Sequence, residues 1–526
     1  MRYRITQLKI RPGEGMDELV AAAQKKIAKA LRCKSSRIHI TNPQIIKESI
    51  DARKRPDVMM VYTLDFDYDG KLPLEEARVQ EYRFEPEGLD QVSPGYRPVV
   101  AGFGPCGMFA ALILAEAGFA PIVLERGKAV EERIEDVRRF QSGEMEAPDP
   151  ESNVQFGEGG AGTFSDGKLT TGIRDIRIRK VLQEFVAAGA DAEILYKHKP
   201  HIGTDRLRDI VKNLRHHIEA LGGEVRFGSK LDGIVTAGDQ QGAYPQRLCG
   251  VQVRTIADGS LTEIETDALI LATGHSAADT FRMLYDMGIA MEKKPFSIGV
   301  RIEHPQEMIN RAQYGDPKLA EIIGPAEYKL NYRCADGRGV YTFCMCPGGH
   351  VIDASTEANT HVTNGMSNSA RDGEFANSGL LVDVRTDDLG EHPLSGIEFQ
   401  RKYEKLAWEN KAVSTYGQFR TRADDPVRRS LPDFAADDIL EAMPHLGRKL
   451  KGFDRDDARM TAVESRSSSP VRIRRDETMQ TEIRGLFPAG EGPGYAGGIM
   501  SAAVDGIKVA EQVVYMKINR SKGETE

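Results

Sequence analysis

Apolar and polar residues alternate over positions 5–10, and apolar residues then recur at helical spacing over 16–31 (Leu19, Ala22, Ala23, Ile27, Leu31). Two more strand-like runs follow at 38–46 and 57–68, so the first 67 residues predict a β-α-β-β module. Residues 69–96 are polar, rich in Pro and Gly, and read as a linker. Beyond them the pattern changes. An apolar strand at 98–101 runs into glycines and then into an amphipathic helix reaching about residue 115, followed by a second strand at 121–125. Residues 204–221 make a strong amphipathic helix (Leu207, Ile210, Val211, Leu214, Ile218, Leu221), capped by Gly222 and Gly223 ahead of a strand from 224. Strand-like runs at 248–255 and 261–265 lead to a buried strand at 267–272 that ends in the turn Thr273-Gly274. From about 290 to 460 the periodicity is mixed and Gly, Pro, Asn and Asp are frequent, which predicts a second domain inserted into the first. Strand-like residues return at 485–491, then a glycine-rich loop and a helix over 499–514.

The junction of the first of these strands with its helix carries chemistry. Gly102, Gly104 and Gly107 are spaced G-x-G-x-x-G, with Pro105 and Cys106 between the last two. Gly102 permits the tight turn, Gly104 lets the backbone approach a pyrophosphate, and Gly107 lets helix and strand pack closely. The helix N-terminus then faces the phosphates. Glu125, followed by Arg126, ends the next strand, where an acid accepts hydrogen bonds from an adenosine ribose and argues against a 2′-phosphate. A dinucleotide ligand is expected.

Composition narrows the setting. The chain has 526 residues, 40% hydrophobic and 29% charged, as in an ordinary multi-domain globular protein. No apolar run is long enough for a membrane span, and the first ten residues read as a strand and not as a signal peptide. Six cysteines do not make a disulfide framework, so a reducing cytoplasm is expected. Net charge is −8, but residues 1–56 carry +9 and the remainder −17. A basic head on an acidic body suits either a docked, solvated module or an anionic partner such as RNA. There is no aromatic interleaving and no RNA-binding motif, so a small-molecule substrate is the expected partner, with nucleic acid on residues 1–56 as the alternative.

Three separated motifs line up: Gly102 to Gly107 with Glu125; Ala272-Thr273-Gly274; and 485–491 (ending in Gly490-Glu491), followed by the loop through Gly497, Gly498 and Ile499. Together they resemble the FAD-binding fold of the glutathione-reductase-like flavoproteins. Over about residues 1–515 the chain resembles a bacterial family described as uncharacterised FAD-dependent dehydrogenases, or NAD(FAD)-utilizing dehydrogenases. The carrying stretches are 156–168 (with Gly159, Gly160, Gly162 and Thr163), 343–349, 364–367 and 467–472, with the C-terminal glycine loop. The resemblance implies FAD and redox chemistry, not a substrate. It also implies that Glu491 meets the ribitol chain, at a position where Asp is more usual. The expected fold class is therefore α/β: a discontinuous Rossmann-like FAD-binding domain (97–289 and 461–526), an inserted α+β substrate domain (290–460) and a small N-terminal β-α-β-β domain with its linker (1–90). FAD is long and needs separate holders for its ends. The bare loop at Gly159 to Gly162 can take a flat ring. Gly497-Gly498 opens a helix whose amides and dipole favour negative charge on a reduced flavin, by about 0.3–1 kcal/mol.

Catalytic groups are less legible. Cys344 and Cys346 form C-x-C, not the C-x-x-C of a redox pair, and read as a strained disulfide or as two small residues on a strand. Lys168 with Asp166, Arg466 and Arg472 about Ser467, Tyr495, His275 and His350 are polar groups in the same stretches that can bind an anion or move a proton. No metal site is expected. No second G-x-G-x-x-G lies between a strand and a helix, so NAD(P)H enters only as a transient donor at the flavin. The reading is a FAD-dependent oxidoreductase acting at flavin N5. Its rivals are an RNA-modifying flavoprotein and a non-catalytic redox sensor.

Overall fold

The computed structural model describes residues 1–523 apart from 79–80, 93–94 and 240–243. The N-terminal strands Arg2–Ile10, Thr41–Asp51 and Met59–Asp67 form an antiparallel sheet with Arg2–Ile10 beside Met59–Asp67, and the short strand Glu75–Glu76 closes its other edge. Helix Met16–Leu31 covers one face through Leu19, Ala23 and Ile27, which join Tyr3, Ile5, Leu8, Leu64 and Phe66 in a separate core. The second strand lies a few residues later than the apolar run at 38–46 predicts, because Ser35–Arg37 turns as a 3₁₀ helix and Ile38 is spent in the core beneath it.

The central sheet is parallel and five-stranded. Its strands are β1 (Val99–Ala101), β2 (Ile122–Leu124), β3 (Glu224–Arg226), β4 (Leu269–Leu271) and β5 (Leu486–Pro488), in the order β5-β4-β1-β2-β3. All but the edge strand β3 are fully buried, as parallel strands covered on both faces must be. The chain proceeds from β1 to β2 and β3 on one side, then crosses to β4 on the other. The switch of direction therefore opens a crevice at the carboxyl ends of β1 and β4. Helix α1 (Pro105–Glu116) follows β1. The spacing predicts an amphipathic helix there, but every residue from Cys106 to Ala115 is buried. The sheet covers one side of α1, and the C-terminal helix α2 (Ile499–Gly523) with helix Thr204–Ala220 covers the rest, so no polar face is left. A meander of Ser229–Gly238, Gln246–Thr255 and Leu261–Glu265 lies between β3 and β4.

A second sheet is antiparallel and six-stranded: Asn331–Arg333, Gly339–Cys346, Phe375–Val384, Phe296–Pro305, Arg459–Glu464 and Val413–Thr415, in that order. Ile298, Val300 and Ile302 on one face of Phe296–Pro305 pack with Ile439, Ala442 and Met443 of helix Asp433–Lys449. Ser297 and Arg301 alternate onto the other face. Strands Met291–Lys293 and Val471–Ile473 pair where the chain leaves and re-enters the first sheet. Between the two sheets lies a cavity of about 1430 Å³. Among the described residues no helix is long and apolar enough to cross a membrane.

Candidate functional site

The cavity exceeds the roughly 300–1,000 Å³ of a typical small-molecule site, and its walls come from the N-terminal, central and six-stranded sheets together with the meander. The crevice wall is built by close backbone approach. A Cβ on Gly102 would stand 2.4 Å from the Ala272 carbonyl oxygen, and one on Gly107 would stand 1.9 Å from the Gly102 carbonyl oxygen. Gly102, at φ +99°, is thus required where β1 meets β4, and Gly107 where α1 lies against β1. Gly160 approaches Gly104, Gly162 touches Ile499, and Gly492 lies against Gly274, so the early, middle and late glycine segments meet at one place. Gly274, Gly497 and Gly498 line the cavity, yet a Cβ on any of them would meet nothing within 4 Å. They face open space, which is the cradle a ligand's backbone contacts require.

Glu125 is buried at the end of β2. One carboxylate oxygen accepts from the Phe103 N–H at 2.9 Å, and the other accepts from Gly127 and Gly157, each at 2.9 Å. Three of about four acceptor positions are thus taken by backbone, leaving one on the cavity side for a hydroxyl. Arg126 stacks on Phe156 and pairs with Glu151 and Asp279. His275 also lines the cavity, 3.5 Å from Glu491, and its buried Nε2 has no protein partner. This orphaned nitrogen beside the empty-faced glycines fits a polar ligand spanning the crevice.

The opposite wall is ionic. Lys168 bonds Asp166 at 2.6 Å and the Met345 carbonyl, and Arg371 clamps Asp166 with two nitrogens. Burial alone would raise the Asp166 carboxyl, but Lys168 and Arg371 outweigh it and hold it below its ordinary range. Burial would lower the Lys168 ammonium, and Asp166, aided by the two neighbouring cysteine sulfurs, more than restores it. Arg466 donates to the Glu404 carboxylate through Nε and Nη2, each at 2.9 Å. Cys344 lines the cavity and Cys346 lies buried behind it, both as free thiols.

Sequence-predicted residues divide accordingly. Gly102, Gly104, Pro105, Cys106, Glu125, Arg126, Gly160, Gly162, Ala272, Thr273, Gly274, Glu491, Gly497, Gly498 and Ile499 line the cavity, as do Lys168, Arg466 and Cys344. Gly107, Gly159, Thr163 and Gly490 stand behind its wall, where they make the close packing on which the wall depends. Cys106 fills the gap between Gly490 and Gly506, and burial raises its thiol well above the ordinary range. Tyr495 and His350 are not brought to the cavity; Tyr495 is stacked by Arg475 at 3.7 Å and Arg472 at 4.9 Å.

Residues 295–424 match a family model described as FAD-dependent protein, C-terminal domain-like, and residues 2–67 match a domain of unknown function. An uncharacterized protein of Clostridium beijerinckii is 42% identical over 555 aligned positions, spanning 98% of this chain and 99% of the relative. The chain belongs to that protein's family. Solved structures with a similar arrangement include the FAD complex of glycerol-3-phosphate dehydrogenase from Bacillus halodurans, at 13% identity, TM-score 0.38, 82% of this chain and 66% of that one. A geranylgeranyl bacteriochlorophyll reductase-like protein of Thermoplasma acidophilum matches at 11% identity, TM-score 0.37, 82% and 83%.

Three site residues in this family member escape sequence reasoning. Arg133 is fully buried and donates to the carbonyls of Asn153, Val154, Glu158 and Gly160, pinning the loop that carries Gly159 and Gly160. Arg301 is fully buried and donates to the Cys344 carbonyl (2.9 Å), Asn364, Asn377 and Glu464. Glu464 lines the cavity, where burial, opposed by Arg301, lifts its carboxyl to about 7. The one available signal for Arg301 is a lone charge inside the apolar run 296–302.

Proposed function

We propose that this chain is a FAD-dependent oxidoreductase that exchanges a hydride between flavin N5 and a small molecule held against the ionic wall. The observation that carries the reading is the convergence of three sequence-distant glycine segments on one crevice at the strand-order switch, with a cradle of bare backbone and an unpartnered His275 nitrogen facing it. The family match over residues 295–424 supports flavin chemistry in the second sheet's lobe.

Gly102, Gly104 and the first turn of α1 would hold the pyrophosphate, Glu125 the adenosine ribose, and Glu491 with His275 the ribitol. Gly160, Gly162 and the start of α2 would lie against the ring. When bound, FAD supplies two-electron redox chemistry. The chain's part is to fix the ring against the sheet and to present Lys168, Arg466 and the Cys344 thiol to whatever lies over it. NAD(P)H is proposed as a donor that visits the same cavity, with the cytoplasm as the setting. Purified protein is expected to carry flavin absorbance near the visible maximum of oxidised flavin, bleached by dithionite and retained through gel filtration. A folded preparation that stays colourless after incubation with FAD overturns the proposal.

A further inference from the structure

The second lobe presents a thiol pair at the cavity wall that the flavin fold does not require. In a regular strand, residues two apart rise by about 6.6 Å, near the upper limit for bridged cysteines. Here the strand Gly339–Cys346 is irregular. Its pairing with Phe375–Val384 shifts between Phe343 and Cys346, and Cys344 takes a left-handed conformation at φ +43°. The kink folds the segment back, and the Cys346 thiol donates to the Cys344 carbonyl oxygen at 3.3 Å. Cys344 faces the cavity and Cys346 is completely buried behind it.

Two cations enclose the pair. Lys168 reaches between them to the Met345 carbonyl, and the buried Arg301 lies 4.0 Å from the Cys346 sulfur while bonding the Cys344 carbonyl. Asp166 and Glu464 are the acids nearby, each already engaged by Arg371 or Arg301. The Cys346 thiol, Lys168 and Arg301 together hold the Cys344 thiol below its usual range. The neighbouring Cys344 sulfur and burial push Cys346 up. A cavity-facing thiol of lowered pKa backed by a buried one has the arrangement of an attacking and a resolving sulfur.

We infer that Cys344 and Cys346 are the attacking and resolving thiols of a dithiol–disulfide couple, and that its oxidised co-reactant is a small-molecule disulfide. The Cys344 thiolate attacks one sulfur of the substrate, R–S–S–R. A Cys344–S–S–R bond forms, and RS⁻ leaves. Cys346 gives its proton to that thiolate and attacks the Cys344 sulfur. The protein disulfide forms and the second RS⁻ leaves, taking a proton from solvent. Two electrons pass from the dithiol to the substrate, yielding two RSH. A co-reactant with a thiolate leaving group suits the position of Lys168, and the cavity of about 1430 Å³ has room for a small molecule. Only the return to the dithiol rests on the proposed flavin, as the two-electron donor.

The test uses the full chain in a background where the two half-buried cysteines outside the cavity are removed (Cys33→Ser, Cys249→Ser). Folded protein is mixed with one equivalent of 5,5′-dithiobis(2-nitrobenzoate) and separately with glutathione disulfide. The expected result is release of both aryl thiolates from a single reagent molecule, leaving a Cys344–Cys346 crosslink identified by peptide mass. Cys346→Ser should release one and retain the mixed disulfide on Cys344. Cys344→Ser should slow the reaction by at least about tenfold, with an unchanged circular dichroism spectrum. A fast phase that survives Cys344→Ser, or a stable mixed disulfide on the chain carrying both thiols, overturns the inference. The thiol phase needs no flavin. Colourless protein that keeps the phase removes the flavin reading alone, and yellow protein without it removes this one alone.

Discussion

Glu125 illustrates how one side chain carries both a fold and a site. Its carboxylate gathers N–H groups from Phe103, Gly127 and Gly157, so it ties β1, β2 and the 157–162 loop together before any ligand arrives. Glu125→Gln places an amide NH₂ against at least one of those donors. It is expected to lower unfolding free energy by about 1.5–3 kcal/mol in urea titrations, with flavin retention falling in parallel. His304 serves the fold alone. It is completely buried, its Nε2 lies 2.8 Å from the Phe453 carbonyl, it stacks on the Phe453 ring, and its Nδ1 has no partner. Burial lowers its pKa to about 4, so between about 4 and 6.5 the unfolded chain binds a proton that the folded chain refuses. Stability is therefore fully present above 6.5 and is lost as the pH falls through that window. His304→Gln, which keeps a donor for Phe453, should flatten the acid limb by up to about 3 kcal/mol while leaving the difference from the parent constant above pH 7.

At the scale of elements, the pairing of α1 with α2 brings the two ends of the cofactor fold together. A Cβ on Gly506 would stand 2.1 Å from the Cys106 carbonyl oxygen, so α2 lies backbone to backbone on α1. Gly506→Ala must separate the helices. Since Ile499 at the start of α2 touches Gly162, the separation also moves the cavity wall. A loss of about 1–3 kcal/mol is expected, seen as a lower melting temperature together with easier flavin release on dilution. A variant that melts earlier but holds flavin equally well would show that the wall does not depend on this contact. The same packing explains why α1 carries no polar face. The sequence pattern reports a helix there, but which sides are covered depends on an element 400 residues away.

At the scale of the molecule, the N-terminal module has its own core and also helps wall the cavity. It docks by a backbone bridge in which Glu48 donates to the Tyr196 carbonyl and accepts from the His198 N–H, both at 2.8 Å, and Arg4, Ile46, Lys47 and Thr63 reach the cavity. Because Tyr3, Leu64, Phe66 and the helix residues pack among themselves, a fragment of residues 1–77 is expected to unfold cooperatively, with a stability no greater than about 3–5 kcal/mol. A fragment whose amide exchange is unprotected would mean that the module is folded only by its neighbours.

What the chain determines locally is legible in its order of residues. The alternations at 5–10 and 248–255, the helix at 204–221 and the G-x-G-x-x-G turn after β1 each follow from a period or a backbone demand that a few neighbouring residues satisfy alone. The strand Ser229–Gly238 goes unread because its half-buried residues show no clean alternation. Lys168, Asp166 and Arg466 are legible as polar groups in the motif stretches, but three other charges go unread for a different reason. Arg133, Arg301 and Glu464 are buried charges whose partners lie 20 to 163 residues away, and nothing local distinguishes them from solvated charges. C-x-C likewise leaves a strained disulfide and two small strand residues as alternatives, until a register shift and two distant cations give one thiol a cavity and the other a place behind it. Local periodicity set the elements and the glycine turns; burial and long-range pairing, which exist only once the sheets have closed on each other, decided which polar groups became a site.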